Sequence, residues 1–137
     1  MSVLIHDYAG YAEAEILPLY ESAGWINYTR RPDMLRAAYE NSLLVLGAYD
    51  GERLIGILRA AGDGASILYI QDIIVLPGYQ HQGVGSALID TALKRYPDVY
   101  QTVLMTDDTE KTAAFYRKNG FIAASDMGCT GFMKINR

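Results

Sequence analysis

Cysteine is almost missing from this chain: Cys129 is the only one in 137 residues. A single thiol excludes an intrachain disulfide framework and any multi-cysteine metal site. It suits a reducing compartment. Histidine is nearly as scarce, and His6 and His81 stand far apart, so no metal is expected. Positive charge is in deficit, with 12 Lys plus Arg against 16 Asp plus Glu, for a net charge of -4. Nucleic-acid binders usually carry a basic face, so no nucleic-acid partner is expected. The same balance leans slightly toward a cationic partner. Long apolar runs are absent. Stretches such as Leu43–Tyr49 are far too short to span a bilayer. The first residues carry no basic stretch before an apolar block, and His6 and Asp7 interrupt them early. The expectation is a cytoplasmic protein without a membrane contact.

What is present supports a packed core. Half of the residues are hydrophobic and 20% are charged, and the length fits one domain over 1–137. Tyrosine is in excess, 11 against 3 Phe and 1 Trp. Val3–Tyr8 alternates weakly, as an opening strand does. Glu13–Ala23 has helical spacing with Gly24 as its cap, although Pro18 sets the expected start near Leu17. Met34, Leu35, Ala38 and Tyr39 share one face of a second helix. Leu43–Tyr49 and Arg53–Ala60 flank Asp50-Gly51, a hairpin signal. Gly62-Asp63-Gly64 marks the next turn. Ile67–Leu76 is apolar on both faces, which predicts a strand covered on both sides in mid-sheet. Gly85–Tyr96 is an amphipathic helix. Val99–Met105 reads as a strand, Asp107–Asn119 as a helix capped by Gly120, and Phe121–Ala124 and Gly131–Ile135 as two closing strands. This order predicts an α/β (α+β) fold, a mixed sheet with helices on its faces.

The most informative segment is Tyr79-Gln80-His81-Gln82-Gly83-Val84-Gly85-Ser86, between a strand and an amphipathic helix. Such a junction aims free backbone N–H groups and the positive end of the helix dipole at one spot. Glycines let the backbone approach a ligand. A phosphate or pyrophosphate is the natural occupant. A P-loop is excluded, because no Gly-Lys-Ser/Thr triplet occurs. A dinucleotide fingerprint lacks its third glycine, since Leu88 stands there.

Gln80-x-x-Gly83-x-Gly85, preceded by Val75-x-Pro77-x-Tyr79, resembles the acetyl-CoA motif of the GNAT superfamily of N-acetyltransferases. Phe115-Tyr116-x-x-x-Gly120-Phe121 is similar to that superfamily's second signature, and Asp50-Gly51 with Ile55-Gly56 matches its strand hairpin. The resemblance spans nearly the whole chain. It implies a mostly antiparallel sheet splayed at its central strand. It implies acetyl-CoA as donor, its pyrophosphate on the amides of His81, Gln82, Gly83, Val84, Gly85 and Ser86; the His81 side chain itself reads as pointing to solvent. It implies that the backbones of Ile73 and Val75 pair with the pantetheine arm, as in strand addition. Tyr116 matches the tyrosine that protonates the leaving thiolate, although the same spacing also describes a core residue of its helix. Thr109 stands where many members carry an asparagine against the cofactor arm. Dimerisation through the C-terminal strands is common in the family, so a homodimer is implied as well.

Asp72 sits in the middle of an apolar strand, where an unpaired carboxylate is costly. The resemblance makes it a base or an anchor for the acceptor ammonium; the alternative is an ion pair with Arg59 on the adjacent strand. Trp25 and Tyr28 lie between the first two helices, where they either wall the acceptor pocket or pack the helix pair. Cys129 reads as a small, semi-buried hydrophobe. The function implied is acetyl transfer to a primary amine by direct attack in a ternary complex. Two other readings keep the glycine loop: an acyl-CoA sensor without turnover, and a nucleotide-binding module unrelated to CoA.

Overall fold

The computed structural model describes residues 2–136. They fall into two compact units, Met1–Met105 and Thr106–Arg137, each taken by itself below.

The first unit is built on a five-stranded sheet in the order β1-β2-β3-β4-β5. β1 is Val3–Asp7, β2 Leu44–Asp50, β3 Arg53–Gly62, β4 Ile67–Val75 and β5 Gln101–Leu104. The first four strands pair antiparallel, and β5 joins β4 parallel. The expected mixed, mostly antiparallel sheet is therefore present. Asp50-Gly51 turns the β2–β3 hairpin as the sequence predicts, with Gly51 at φ 62°. The next turn is held by Asp63, whose Oδ1 accepts from the N–H groups of Ala65, Ser66 and Ile67.

Helices cover both faces. On one lie α1 (Glu13–Ser22), the short α2 (Ile26–Thr29) and α3 (Pro32–Glu40). Ile16, Leu19 and Tyr20 of α1 and Leu35 and Tyr39 of α3 form a core cluster with Leu54, Ile57 and Ile74 of the sheet. On the other face lies α4 (Val84–Arg95), which buries Val84, Leu88, Ile89 and Ala92. The two faces meet at neighbouring residues of β3. Ile57 points to α1, whereas a Cβ built on Gly56 would stand 3.6 Å from Leu88 Cδ1 and 3.0 Å from the Ile74 carbonyl. Glycine there lets α4 approach closely.

Several sequence expectations change. α1 begins at Glu13, not near Leu17, and runs through Pro18. A proline costs an interior helix about 3 kcal/mol. Burying Ile16, Leu19 and Tyr20, each at most 1% exposed, gains roughly 1.5–3 kcal/mol per side chain, which outweighs it. The strand covered on both faces is β3, buried from Leu54 to Ala60, because it is the middle strand. β4 alternates instead: Leu68, Ile70, Asp72 and Ile74 are buried, while Ile67, Tyr69, Ile73 and Val75 are half-buried.

The second unit holds the remaining changes. It contains α5 (Glu110–Lys118) and a short 3-10 turn, Ala124–Met127. α5 ends with Gly120 at φ 91°. The Gly120 N–H donates to Arg117 O and the Phe121 N–H to Tyr116 O, the paired closure of a Schellman motif. The expected strands at Phe121–Ala124 and Gly131–Ile135 do not form. A strand needs a neighbour for its backbone groups, and among the described residues these segments pair with none. Phe132, Met133 and Ile135 are consequently exposed. Cys129 is exposed in the same segment rather than semi-buried. Among the described residues no helix is long and apolar enough to cross a membrane.

Candidate functional site

β4 forks away from β5. Their pairing runs from Ile67↔Gln101 to Ile70↔Leu104 and stops, whereas pairing with β3 continues to Val75. Between the two regimes β4 carries a bulge. Asp72 pairs with Arg59 and Ile70 with Ala60, so Gln71 is the extra residue. The direction of the free backbone groups follows from the ladder. The Leu76 N–H donates to Ile55 O at 2.9 Å. Antiparallel pairs alternate between bonded and non-bonded residues, so Ile74 faces β3 while Ile73 and Val75 turn their N–H and C=O groups to the open edge. The Val75 carbonyl on that edge accepts from Gln80 Nε2 at 3.0 Å.

The glycine loop follows directly. Pro77–Tyr79 forms a 3-10 turn, and the Tyr79 hydroxyl donates to Asp50 Oδ2 at 2.6 Å, tying the loop to the hairpin. His81 and Gly83 both adopt left-handed backbone, φ 62° and 82°. Gly83 is the N-cap of α4, with no side-chain cap and no acidic residue in the first turn. The amides of Val84, Gly85 and Ser86 therefore have no intrahelical acceptor. Left-handed Gly83 followed by helical Val84 turns successive N–H groups to one side, an anion-binding nest. His81, Gln82 and Gly83 are exposed, Gly85 and Ser86 half-buried, and Val84 is buried as an anchor into the core. A cleft of about 430 Å³ lies beside the loop, lined by Val3, Ile5, Gln82, Gly83, Val84 and Ala87. An anion nest continuous with an open strand edge fits a pyrophosphate carrying an extended amide-bearing arm.

Asp72 is 2% exposed and Arg59 6%. Arg59 Nε stands 2.8 Å from Asp72 Oδ2, and the Tyr20 hydroxyl donates to the same oxygen at 2.7 Å. The Tyr39 hydroxyl lies 3.1 Å from that of Tyr20, and Arg59 also donates to Ser42 Oγ at 3.3 Å. Of the two sequence readings of Asp72, the ion pair is the arrangement observed. Burial drives the phenol of Tyr20 far above its ordinary range, with the neighbouring Tyr39 and Asp72 adding to it. Tyr39 moves the same way, chiefly by burial. For Arg59, burial opposes the charge, but the Asp72 carboxylate and its hydrogen bond more than offset this, and the net shift is upward.

Trp25 and Tyr28 pack against the α1 core as half-buried residues. α1 closes on Gly24 with the same two Schellman hydrogen bonds, Gly24 N–H to Glu21 O and Trp25 N–H to Tyr20 O. That closure sets Trp25 edge-on to Tyr20, with ring centroids 6.0 Å apart. The ring of Tyr28 lies 5.1 Å from that of Tyr20, and its hydroxyl accepts from Gln71 Nε2 at 3.2 Å. Gln71 went unremarked in the sequence, because a bulge leaves no trace in an apolar run.

In the second unit, Tyr116 is half-buried between Phe115 and Phe121, with ring centroids 5.1 and 5.8 Å away. Burial, and secondarily Asp107, raise its phenol above the usual value, so it keeps its proton at neutral pH. Thr109 is the N-cap of α5, accepting from the Thr112 N–H at 3.3 Å, and it donates to Asp107 Oδ1 at 2.8 Å. Among the described residues no cluster of His, Cys, Asp or Glu could hold a metal ion.

Residues 41–123 match the family model of an acetyltransferase (GNAT) domain. The chain is 36% identical over 125 residues to a protein from Glycine max named histone acetyltransferase TAP1, an alignment covering 80% of this chain and 51% of that protein. It spans about half the length of such curated relatives. Among solved structures, a GNAT family acetyltransferase from Streptococcus pneumoniae TIGR4 superposes with a TM-score of 0.90 at 40% identity, covering 99% of both chains. A GNAT family acetyltransferase from Brucella melitensis, solved in complex with acetyl-CoA, superposes with a TM-score of 0.69 at 25% identity, covering 90% of this chain and 84% of that one.

Proposed function

This chain belongs to the GNAT acetyltransferase family, and on that footing we propose that residues 1–137 work as one acetyl-CoA-dependent N-acetyltransferase domain acting on a primary amine. The observation that carries the reading is the continuity of the open β4 edge with the left-handed glycine loop at the head of α4. The amides from His81 to Ser86 hold the pyrophosphate, the backbones of Ile73 and Val75 hold the arm, and Thr109 adds a hydroxyl contact. Acetyl-CoA, when bound, supplies the acetyl group as an activated thioester. The amine attacks the thioester carbonyl directly in a ternary complex, the acetyl C–S bond breaks, and the proton the nitrogen sheds passes to water; no serine or cysteine relay is invoked. Tyr116 gives its phenolic proton to the leaving sulfur and recovers it from solvent. Asp72 does not serve as a free base. It fixes the bulge through Arg59 and Tyr20, and the acceptor side is walled by Trp25 and Tyr28.

The exposed apolar residues Phe132, Met133 and Ile135, together with the outer edge of β5, which pairs with no strand among the described residues, support a homodimer in which each copy's last segment adds to its partner. The exposed lone thiol suits a reducing, cytoplasmic setting.

The test is a calorimetric titration with acetyl-CoA and with ADP, joined to an assay of free CoA thiol release over a panel of amines. Tight acetyl-CoA binding with amine-dependent thiol release is expected. Binding without release by any amine would favour an acyl-CoA sensor. Equal affinity for ADP would favour a nucleotide module.

A further inference from the structure

The bulge in β4 gives two consecutive residues to the same face of the sheet. In a regular strand, neighbouring side chains point to opposite faces. Here Asp72 receives the Tyr20 hydroxyl of α1, while Gln71 donates to the Tyr28 hydroxyl of α2. The two have different fates. Asp72 is buried, and its charge is matched by Arg59. Gln71 is exposed and is the first residue beyond the last β4–β5 pair. The open edge runs from Gln71 to Val75, with the glycine loop at its Val75 end, so Gln71 marks the end remote from the phosphate site.

Resting on the acetyltransferase reading, we infer that Gln71 binds the acceptor amine as its free base. With Nε2 committed to Tyr28, the carboxamide presents Oε1, an uncharged acceptor for an amine N–H. An attacking nitrogen needs its lone pair. A carboxylate at this place would hold the amine as ammonium, and a nearby opposite charge favours the charged form. The neighbouring carboxylate, Asp72, is withdrawn from that role by its guanidinium partner. Tyr28 thus acts as a positioning residue, fixing which end of the carboxamide faces the amine.

Steady-state kinetics of Gln71→Leu and Gln71→Glu test this, using whichever of 2-phenylethylamine, Nα-acetyl-lysine amide, spermidine and kanamycin the wild type acetylates fastest. In Gln71→Leu the amine KM should rise about tenfold, the loss of one hydrogen bond, with the acetyl-CoA KM unchanged. In Gln71→Glu the acid limb of the kcat profile, which reports the bound amine, should move to higher pH by about one unit. Tyr28→Phe should raise the amine KM by a smaller factor and leave that limb in place. An unchanged amine KM in Gln71→Leu, or an unmoved limb in Gln71→Glu, overturns the inference while leaving the acetyltransferase reading intact. A wild type that acetylates none of the four amines overturns both.

Discussion

Tyr20 and Arg59 meet on a single oxygen: both donate to Asp72 Oδ2, at 2.7 and 2.8 Å, in a part of the core almost closed to solvent. The three residues come from α1, β3 and β4. The cluster joins a helix to the sheet where the strand register slips by one.

Asp72→Asn leaves the Arg59 guanidinium buried without a counter-charge, and should destabilise the protein by about 3–5 kcal/mol. Adding Arg59→Met removes the stranded charge and should restore much of that loss. Urea unfolding of the single and double variants measures both. A single variant as stable as wild type would contradict the structural role.

The tyrosines give a pH dependence. Burial pushes Tyr8 up to about 12, and Tyr20 and Tyr39 move upward too. A phenol whose folded pKa exceeds its unfolded value of about 10 contributes stability that is fully present below pH 10. That stability is lost as pH rises toward the folded values. The deeply buried phenols Tyr20 and Tyr39 each cost up to about 1.4 kcal/mol per pH unit in this window, and Tyr8, closer to solvent, costs less. Thermal melts should therefore be flat from pH 7 to 9 and fall steeply above about pH 10. The tyrosinate absorbance of the buried phenols should appear only with unfolding; full ionisation of every tyrosine before the fold is lost would contradict the burial.

Tyr116→Phe keeps the ring between Phe115 and Phe121 and deletes only the hydroxyl. The catalytic rate should fall at least about tenfold, with acetyl-CoA affinity nearly unchanged. An unaltered rate excludes Tyr116 as the acid.

Gly83 sits at φ 82°, and a Cβ there would meet nothing within 4 Å. Strain, not collision, is the cost of a side chain. Gly83→Ala should destabilise by about 1–2 kcal/mol, whereas Gly83→Asn, which tolerates left-handed backbone, should lose less. Both should weaken acetyl-CoA binding by placing a side chain in the nest. Differential scanning calorimetry and a donor titration separate the two effects.

Much of this was legible from local chemistry. Asp50-Gly51, Gly24, Gly120 and the Gly83–Gly85 loop each impose a backbone that few residues accept, and each stands where its spacing predicts. The misreadings share a different origin. The apolar run Ile67–Leu76 looks covered on both faces, but burial is decided by neighbours, and β3 holds the central place. Pro18 forbids a helix by local rules, and the packed stripe beside it overrides them. Gly131–Ile135 has strand spacing without a partner strand among the described residues. The pairing of Asp72 with Arg59 could be named as an alternative, but choosing it required the β3–β4 register. The reach of Gln71 to Tyr28 required the bulge, which is a property of two strands rather than one.

The unpaired stretch of β4 also bears on handling. A bare strand edge accepts any extended peptide that meets it, including the same edge of another molecule. On the proposed reading, a donor laid along Ile73 and Val75 would cap that edge like an interior strand. Stripped of it, the purified protein should be the more prone to self-association, and storage with CoA should keep it dispersed.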